Sequence, residues 1–232
     1  MVRSFESKVP VAGFGFAEDA DYRLISTELS LEGTAVQLEV RGEQYSAALK
    51  ILGEHQAMNL AAAIAAADHL GIEVSKALEI ASEIEMAERW RMQVIKAADY
   101  WVINDAYNAS PDSMRAALQT LAVLGRNSHR MVAVLGQMAE LGEYSAFEHD
   151  QIGRLVVRLG IDKLFVVGEE AKLIHMGASQ EGSWDGESEY IDSMNTAFET
   201  IREKLLPGDI VLVKASNVAG LRFLGDELAG VK

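Results

Sequence analysis

The sequence predicts an α/β protein in which a mostly parallel sheet with flanking helices is preceded by a small antiparallel sheet plus helices. Three observations predict it. The stretch from Leu24 to Ile51 has a period of two, short apolar runs alternate with helical periods from Tyr100 onward, and the chain changes character between the two, near residue 90. The 232 residues, 49% hydrophobic and 24% charged, suffice for one large domain or two small ones and exclude disorder as the main state.

In the first part, Val36, Leu38 and Val40 alternate with Ala35, Gln37 and Glu39, and the alternation resumes after Arg41-Gly42-Glu43 at Tyr45, Ala47, Leu49 and Ile51. That pattern is a β-hairpin. The Ala-rich stretch from Gln56 to Leu70, closed by Gly71, predicts a helix, and Ser75 is placed to cap a second one reaching about Ile84. So small a set of elements predicts a need for something larger to pack against.

In the second part, Trp101-Val102-Ile103 is a buried strand, and Ser110 and Pro111 are the cap and first-turn residue of a helix to Leu124. Met131 to Leu135 is the next strand. Ser145-Ala146-Phe147-Glu148 has the spacing of a capping box that opens a helix ending by Gly160. Leu164 to Val167 and Ile210 to Val213 supply two more buried strands, with helices near Glu170 to Met176, Met194 to Leu205 and Val218 to Leu228. The polar, Gly-rich stretch Ser179 to Ser188 predicts a mobile surface loop. Such alternation implies right-handed crossovers, with ligands at the carboxyl ends of the strands.

Composition and missing motifs narrow the function. The 35 acidic and 21 basic side chains give a net charge of −14. The charge is spread evenly, with neither an acidic tail nor a basic arm, which argues against a nucleic-acid partner. Cysteine is absent, which removes a disulfide framework, a thiolate metal site and a Cys nucleophile. The amino terminus lacks the apolar core of a signal peptide, and the longest apolar run, Leu60 to Ala67, is far shorter than the ~20 residues that span a bilayer. No membrane insertion and a cytoplasmic location are the expectation. No Gly-Lys dipeptide occurs, so there is no phosphate loop of the Gly-x-x-x-x-Gly-Lys-Ser/Thr kind. Gly13-Phe14-Gly15 is followed by Phe16-Ala17-Glu18, which breaks the dinucleotide fingerprint. The five histidines show no metal-ligand spacing, and no Gly-x-Ser-x-Gly elbow occurs.

Three polar stretches remain at strand ends and helix starts. Asn104 to Met114, reading Asn-Asp-Ala-Tyr-Asn-Ala-Ser-Pro-Asp-Ser-Met, stands where a carboxylate can meet a ribose or cation and a helix amino end can meet phosphate. The same residue types also build plain capping loops. Gly136-Gln137-Met138-Ala139-Glu140-Leu141-Gly142 follows the next strand and reads either as a site or as a bare loop. Gly53 to Asn59 opens the Ala-rich helix, where His55 and Asn59, four apart, either face one ligand or are a cap and a surface residue.

Taken in chain order, with Arg91-Met92-Gln93 before the second and Leu212-Val213-Lys214-Ala215-Ser216 near the end, these stretches resemble the Mur ligases of peptidoglycan synthesis. Tyr107-Asn108-Ala109 and Leu135-Gly136-Gln137-Met138-Ala139-Glu140-Leu141-Gly142 are similar to the branch that adds D-alanyl-D-alanine to UDP-N-acetylmuramoyl-tripeptide. The related folate-polyglutamate ligases lack both elements. The resemblance spans nearly the whole chain but starts late in the family's pattern. It implies that residues 1–88 are the tail end of a central, ATP-binding domain and 89–232 a Rossmann-like carboxy-terminal domain. The amino-terminal domain for the uridine nucleotide and the phosphate loop are then expected upstream of residue 1. Asn104 replaces an aspartate of the family pattern, Ser110 an asparagine, and Ala215 and Asn217 a glycine and an arginine.

The implied chemistry is amide formation driven by ATP with Mg²⁺, through an acyl phosphate. By resemblance, His55 and Asn59 lie by the adenine, Arg91 and Asp105 by the ribose and phosphates with Tyr107 and Asn108 beside them, and Lys214 and Ser216 face the incoming dipeptide. No residue is singled out as catalytic or as a metal ligand. Lys214 and Asp105 are expected in different half-sites, the whole set straddles two domains that close over substrates, and the chain by itself is expected to be inactive. The alternative is a non-catalytic nucleotide- or peptide-binding module derived from this fold.

Overall fold

The boundary near residue 90 is a physical one: the chain forms two compact units, residues 1–86 and 87–232. The structure, a computed structural model, describes residues 11–85, 88–126, 128–182 and 186–231.

The first unit contains β1 (Phe14–Gly15), β2 (Tyr22–Ser30), β3 (Gly33–Val40), β4 (Glu43–Leu49), α1 (Glu54–His69) and α2 (Val74–Glu83). The expected hairpin is β3 and β4, closed by Arg41 and Gly42, both at positive φ as a two-residue turn between twisted strands requires. It is part of a larger sheet. Strand β2 pairs antiparallel with β3, and β1 runs parallel to β2, giving the order β1-β2-β3-β4. Leu24, Val36, Leu38 and Val40 of the sheet share one apolar core with Ala57, Leu60, Ala61 and Ile64 of α1. This unit therefore has its own core, contrary to the expectation that it needs a larger neighbour. The nine-residue β2 widens the sheet, and the small alanines of α1 let the helix close on it. Ser75 is not the cap of α2. Buried Val74 is already helical, so the cap position falls on Glu73, which makes no side-chain cap bond.

The second unit contains β5 (Gln93–Lys96), β6 (Trp101–Asn104), α3 (Pro111–Gly125), β7 (Met131–Leu135), α4 (Ser145–Arg158), β8 (Lys163–Val167), α5 (Lys172–Glu181), β9 (Ser188–Ile191), α6 (Met194–Arg202), β10 (Ile210–Lys214) and α7 (Leu221–Leu228). Its six strands lie in the order β5-β6-β10-β7-β8-β9, all parallel except β5. Both faces are covered, as a parallel sheet requires. Val102, Val134, Phe165, Val211 and Val213 pack with Ala197, Ile201, Leu221 and Leu224 of α6 and α7. Met114, Leu118, Leu121, Ile152 and Ile174 are fully buried on α3, α4 and α5. Each such side chain contributes about 1.5–3 kcal/mol. Helices α4 and α5 approach closely through glycine: a Cβ on Gly153 would lie 1.9 Å from the Ile174 carbonyl oxygen.

Ser110 caps α3 as expected, accepting from the Ser113 backbone N–H at 3.3 Å while the Ser113 hydroxyl accepts from the Ser110 N–H at 2.9 Å. The capping box at Ser145 does not form. The turn Gly142–Tyr144 runs straight into α4, so Ser145 is already helical, and Glu148 reaches Arg115 at 2.5 Å instead. The stretch read as a loop is shorter than expected, since α5 continues to Glu181 and Ser188 opens β9; residues 183–185 lie outside the described ones. Among the described residues no helix is long and apolar enough to cross a membrane.

Candidate functional site

In the second unit, β10 lies between β6 and β7, so three strand ends meet at one edge. Val213 is in register with Asn104, and Lys214 with Leu135. Just beyond the strands, the Asp105 N–H donates to the Val213 carbonyl, Gly136 N–H to that of Lys214, and Ser216 N–H to that of Gln137. The loops that carry two of the sequence motifs therefore start side by side, with β10 between them.

Lys214 is the centre of this edge. Its side chain is 2% exposed, and its ammonium donates to Asp105 Oδ2 at 2.5 Å and to the Asn108 carbonyl at 3.0 Å. The second carboxylate oxygen of Asp105 accepts from the Met92 N–H at 2.9 Å. The expectation that Asp105 and Lys214 sit in different half-sites is thus replaced by a single buried pair. Parallel register next to β6 brings the end of β10 to Asp105, and a buried ammonium needs an anionic partner.

The contact to Met92 has a consequence for Arg91. Trp90 and Met92 adopt φ of 64° and 46°, left-handed conformations that cost on the order of 1–3 kcal/mol each in a non-glycine residue. They are held there. Trp90 N–H donates to Gln93 Oε1, the Trp90 carbonyl accepts from Tyr107 N–H, and the Trp90 indole donates to Asp226 Oδ2 at 2.9 Å. The turn presents the Arg91 guanidinium 4.3 Å above the Tyr107 ring, with Glu88 Oε2 at 2.5 Å from its Nε. A half-exposed cation stacked on an aromatic ring offers a flat face to a base and N–H donors to a phosphate.

Asn108 is exposed and accepts from the Ala109 N–H through Oδ1. Ser216 is 4% exposed and fully engaged: its hydroxyl accepts from Ala139 N–H at 2.8 Å and donates to the Ala109 carbonyl at 3.3 Å. In the first unit, His55 and Asn59 share one exposed face at the start of α1, where Gln56 lies 3.2 Å from His55 Nε2 and accepts from Asn59 at 3.1 Å. Gly53, at φ 126°, precedes them, and a Cβ there would meet the His55 ring at 2.5 Å. Arg91, Asp105, Tyr107, Asn108, Lys214 and Ser216 therefore gather in one unit, and His55 and Asn59 belong to the other.

The departures at 104 and 217 have local explanations. Buried Asn104 donates through Nδ2 to the Arg222 carbonyl at 2.9 Å and to Asp226 Oδ1 at 3.2 Å, so an aspartate there would face a second carboxylate. Asn217 accepts from Arg222 at 2.5 Å through Oδ1. No structural reason distinguishes Ser110 or Ala215 from the residues they replace. Sequence reading missed Asp226, which Arg89, Trp90 and Asn104 all contact, and His149, which is 1% exposed and accepts from the Met138 N–H at 2.9 Å. Neither stands in a motif. Among the described residues no three of His, Asp and Glu gather as a metal site.

Residues 90–217 match the family described as Mur ligase, glutamate ligase domain, and residues 1–67 match the Mur ligase middle domain. A UDP-N-acetylmuramoyl-tripeptide–D-alanyl-D-alanine ligase of Mycobacterium tuberculosis H37Rv is 41% identical over 222 residues, covering 88% of this chain and 42% of the relative. The ligase of the same name from Bacillus subtilis is 34% identical, covering 88% of this chain and 44% of the relative. Among solved structures, MurF from Acinetobacter baumannii superposes with a TM-score of 0.80 at 27% identity, over 94% of this chain and 46% of that one. MurF ligase from Thermotoga maritima, solved in complex with ADP, shares the fold with a TM-score of 0.76 at 23% identity, over 94% and 48%. The chain spans about two fifths of the length of the curated relatives it matches.

Proposed function

The chain belongs to the Mur ligase family, and on that premise we propose that it supplies the carboxy-terminal part of an ATP-dependent ligase acting in the cytoplasm. The reaction proposed joins D-alanyl-D-alanine to UDP-N-acetylmuramoyl-tripeptide. The observation that carries this reading is 41% identity over 222 residues to a ligase of that name. The stretches of the second unit that carry the resemblance start at the strand ends, where α/β sheets bind ligands.

In this reaction the tripeptide carboxylate takes the terminal phosphoryl group of ATP, releasing ADP. The dipeptide amine then displaces phosphate from the acyl phosphate with loss of a proton. Both steps build negative charge on oxygen, so fixed donors aimed at that charge are what a protein can contribute. Arg91, stacked on Tyr107, suits the nucleotide within the second unit. The amino end of α3 beside Asn108 presents the positive end of the helix dipole to an anion. Asp105 and Lys214 act by fixing the Arg91 turn and the loop before α3, because their charged atoms are already committed to each other, to Met92 N–H and to the Asn108 carbonyl. Ser216 is assigned to the dipeptide side through the loop it holds, while Lys214 stays with Asp105 and Asn108 on the nucleotide side.

Mg²⁺, which the family implies, does not find a ligand set among these side chains. Asp105 is taken up by Lys214 and Met92, and among the described residues no group of three His, Asp or Glu that could hold a metal ion is found. No step is assigned to the metal on this chain.

The test is phosphate release by this chain joined to the preceding part of the Bacillus subtilis relative. Release that requires both the UDP-linked tripeptide and D-alanyl-D-alanine supports the reading. A folded hybrid that releases none, beside an active parent enzyme, overturns it.

A further inference from the structure

His149 on α4 has no place in the roles above, yet its two ring nitrogens have a defined state. Nδ1 lies 2.7 Å from the Ser145 carbonyl oxygen, which can only accept, so Nδ1 carries hydrogen. Nε2 lies 2.9 Å from the backbone nitrogen of Met138, which can only donate, so Nε2 is bare. The imidazole is neutral and in one tautomer.

The next amide along is gripped from the other side. Ala139 N–H donates to Ser216 Oγ at 2.8 Å, and the Ser216 proton goes on to the Ala109 carbonyl at 3.3 Å. Consecutive N–H groups of one loop are thus held by a side chain from α4 and by one from the end of β10, which in turn ties the loop before α3. Glu140, the residue that follows, adopts φ 64°, a conformation a non-glycine residue keeps only when its surroundings impose it.

We propose that His149 is a positioning residue for the amine-substrate side of the site. As a neutral imidazole with hydrogen on Nδ1, it sets residues 136–141 against Ser216, so that the three strand-end loops form one fixed wall for the incoming dipeptide. The inference rests on the ligase reading. It places the dipeptide at the β7 side because the Arg91 and Tyr107 platform occupies the opposite side, beyond β6. The loop needs an acceptor where Nε2 stands, which glutamine reproduces and asparagine, one bond shorter, does not.

The experiment is NMR of the 232-residue chain, with imidazole nitrogen shifts to locate the proton and hydrogen exchange at the Met138 and Ala139 amides. Expected are hydrogen on Nδ1, exchange about tenfold faster in His149→Asn, and near-parental exchange in His149→Gln. Hydrogen on Nε2, or equal exchange in the two variants, overturns the positioning role whatever the chain ligates. The proton position needs no variant, so it decides the matter even if both substitutions unfold the unit. Titration with D-alanyl-D-alanine adds the second readout: shifts at Ala139 and Ser216 support the wall. An intact loop whose amides do not move overturns the ligase reading at this edge instead.

Discussion

Lys214 Nζ lies 2.5 Å from Asp105 Oδ2, and with side chains 2% and 14% exposed the two form a buried ion pair that joins the ends of β10 and β6. The pair also determines where Arg91 stands, because the other oxygen of Asp105 holds the Met92 N–H. Removing either partner leaves a charge without its counter-ion. Asp105→Ala is predicted to cost about 3–5 kcal/mol. Lys214→Ala is predicted to cost less, since Asp105 keeps Met92 and some contact with water. The double variant should lose at least about 1 kcal/mol less than the sum. Urea unfolding read by tryptophan fluorescence checks this, because Trp90, Trp101 and Trp184 all fall in the second unit. Strictly additive losses would mean the pair has no energetic coupling.

Asn104→Asp places a second buried carboxylate against Asp226 Oδ1, where Asn104 now donates. The predicted loss is about 1–3 kcal/mol at pH 7. Two like charges raise the pKa of one of them, so the loss should shrink as pH falls through that raised value. Equal stability of variant and parent at pH 7 contradicts the local explanation of this departure.

Glu181, at the end of α5, is bonded by Arg158 and Arg154 of α4, which hold its carboxyl below the ordinary value of 4.5. A depressed carboxyl contributes stability above its unfolded pKa and loses it as pH falls through the folded one. The parent should therefore be more stable than Glu181→Gln at pH 7, and the gap should narrow from about pH 4.5 downward. Paired unfolding curves between pH 7 and pH 3 measure it. A gap that widens in acid has the wrong sign.

The buried strands and the cap of α3 were legible in the sequence because each is a local pattern. Strands such as β7 and β10 are unbroken apolar runs covered on both faces, and Ser110-Pro111 sits at the helix start it marks. Strands β5 and β9 were not legible. They are four-residue edges, Gln-Val-Ile-Lys and Ser-Glu-Tyr-Ile, whose single covered side leaves no clear period. The motifs named Arg91, Asp105 and Lys214, but no spacing shows that Lys214 and Asp105, 109 residues apart, meet through adjacent parallel strands. His149 escaped notice for a different reason. Its role depends on a loop turning back so that Met138, eleven residues earlier, points an amide at its ring.

Completion of a ligase for D-alanyl-D-alanine is tested most directly by the mass of the product. The hybrid with the preceding part of the Bacillus subtilis relative is given ATP, UDP-N-acetylmuramoyl-tripeptide and an equimolar mixture of D-alanyl-D-alanine, D-alanine and D-glutamate. The 232 residues alone, which contain no Gly-Lys dipeptide and so no phosphate loop of the usual kind, should yield no product. The hybrid is predicted to yield the tripeptide extended by D-alanyl-D-alanine and nothing else. Extension by a single amino acid, or product from the 232 residues by themselves, contradicts the account.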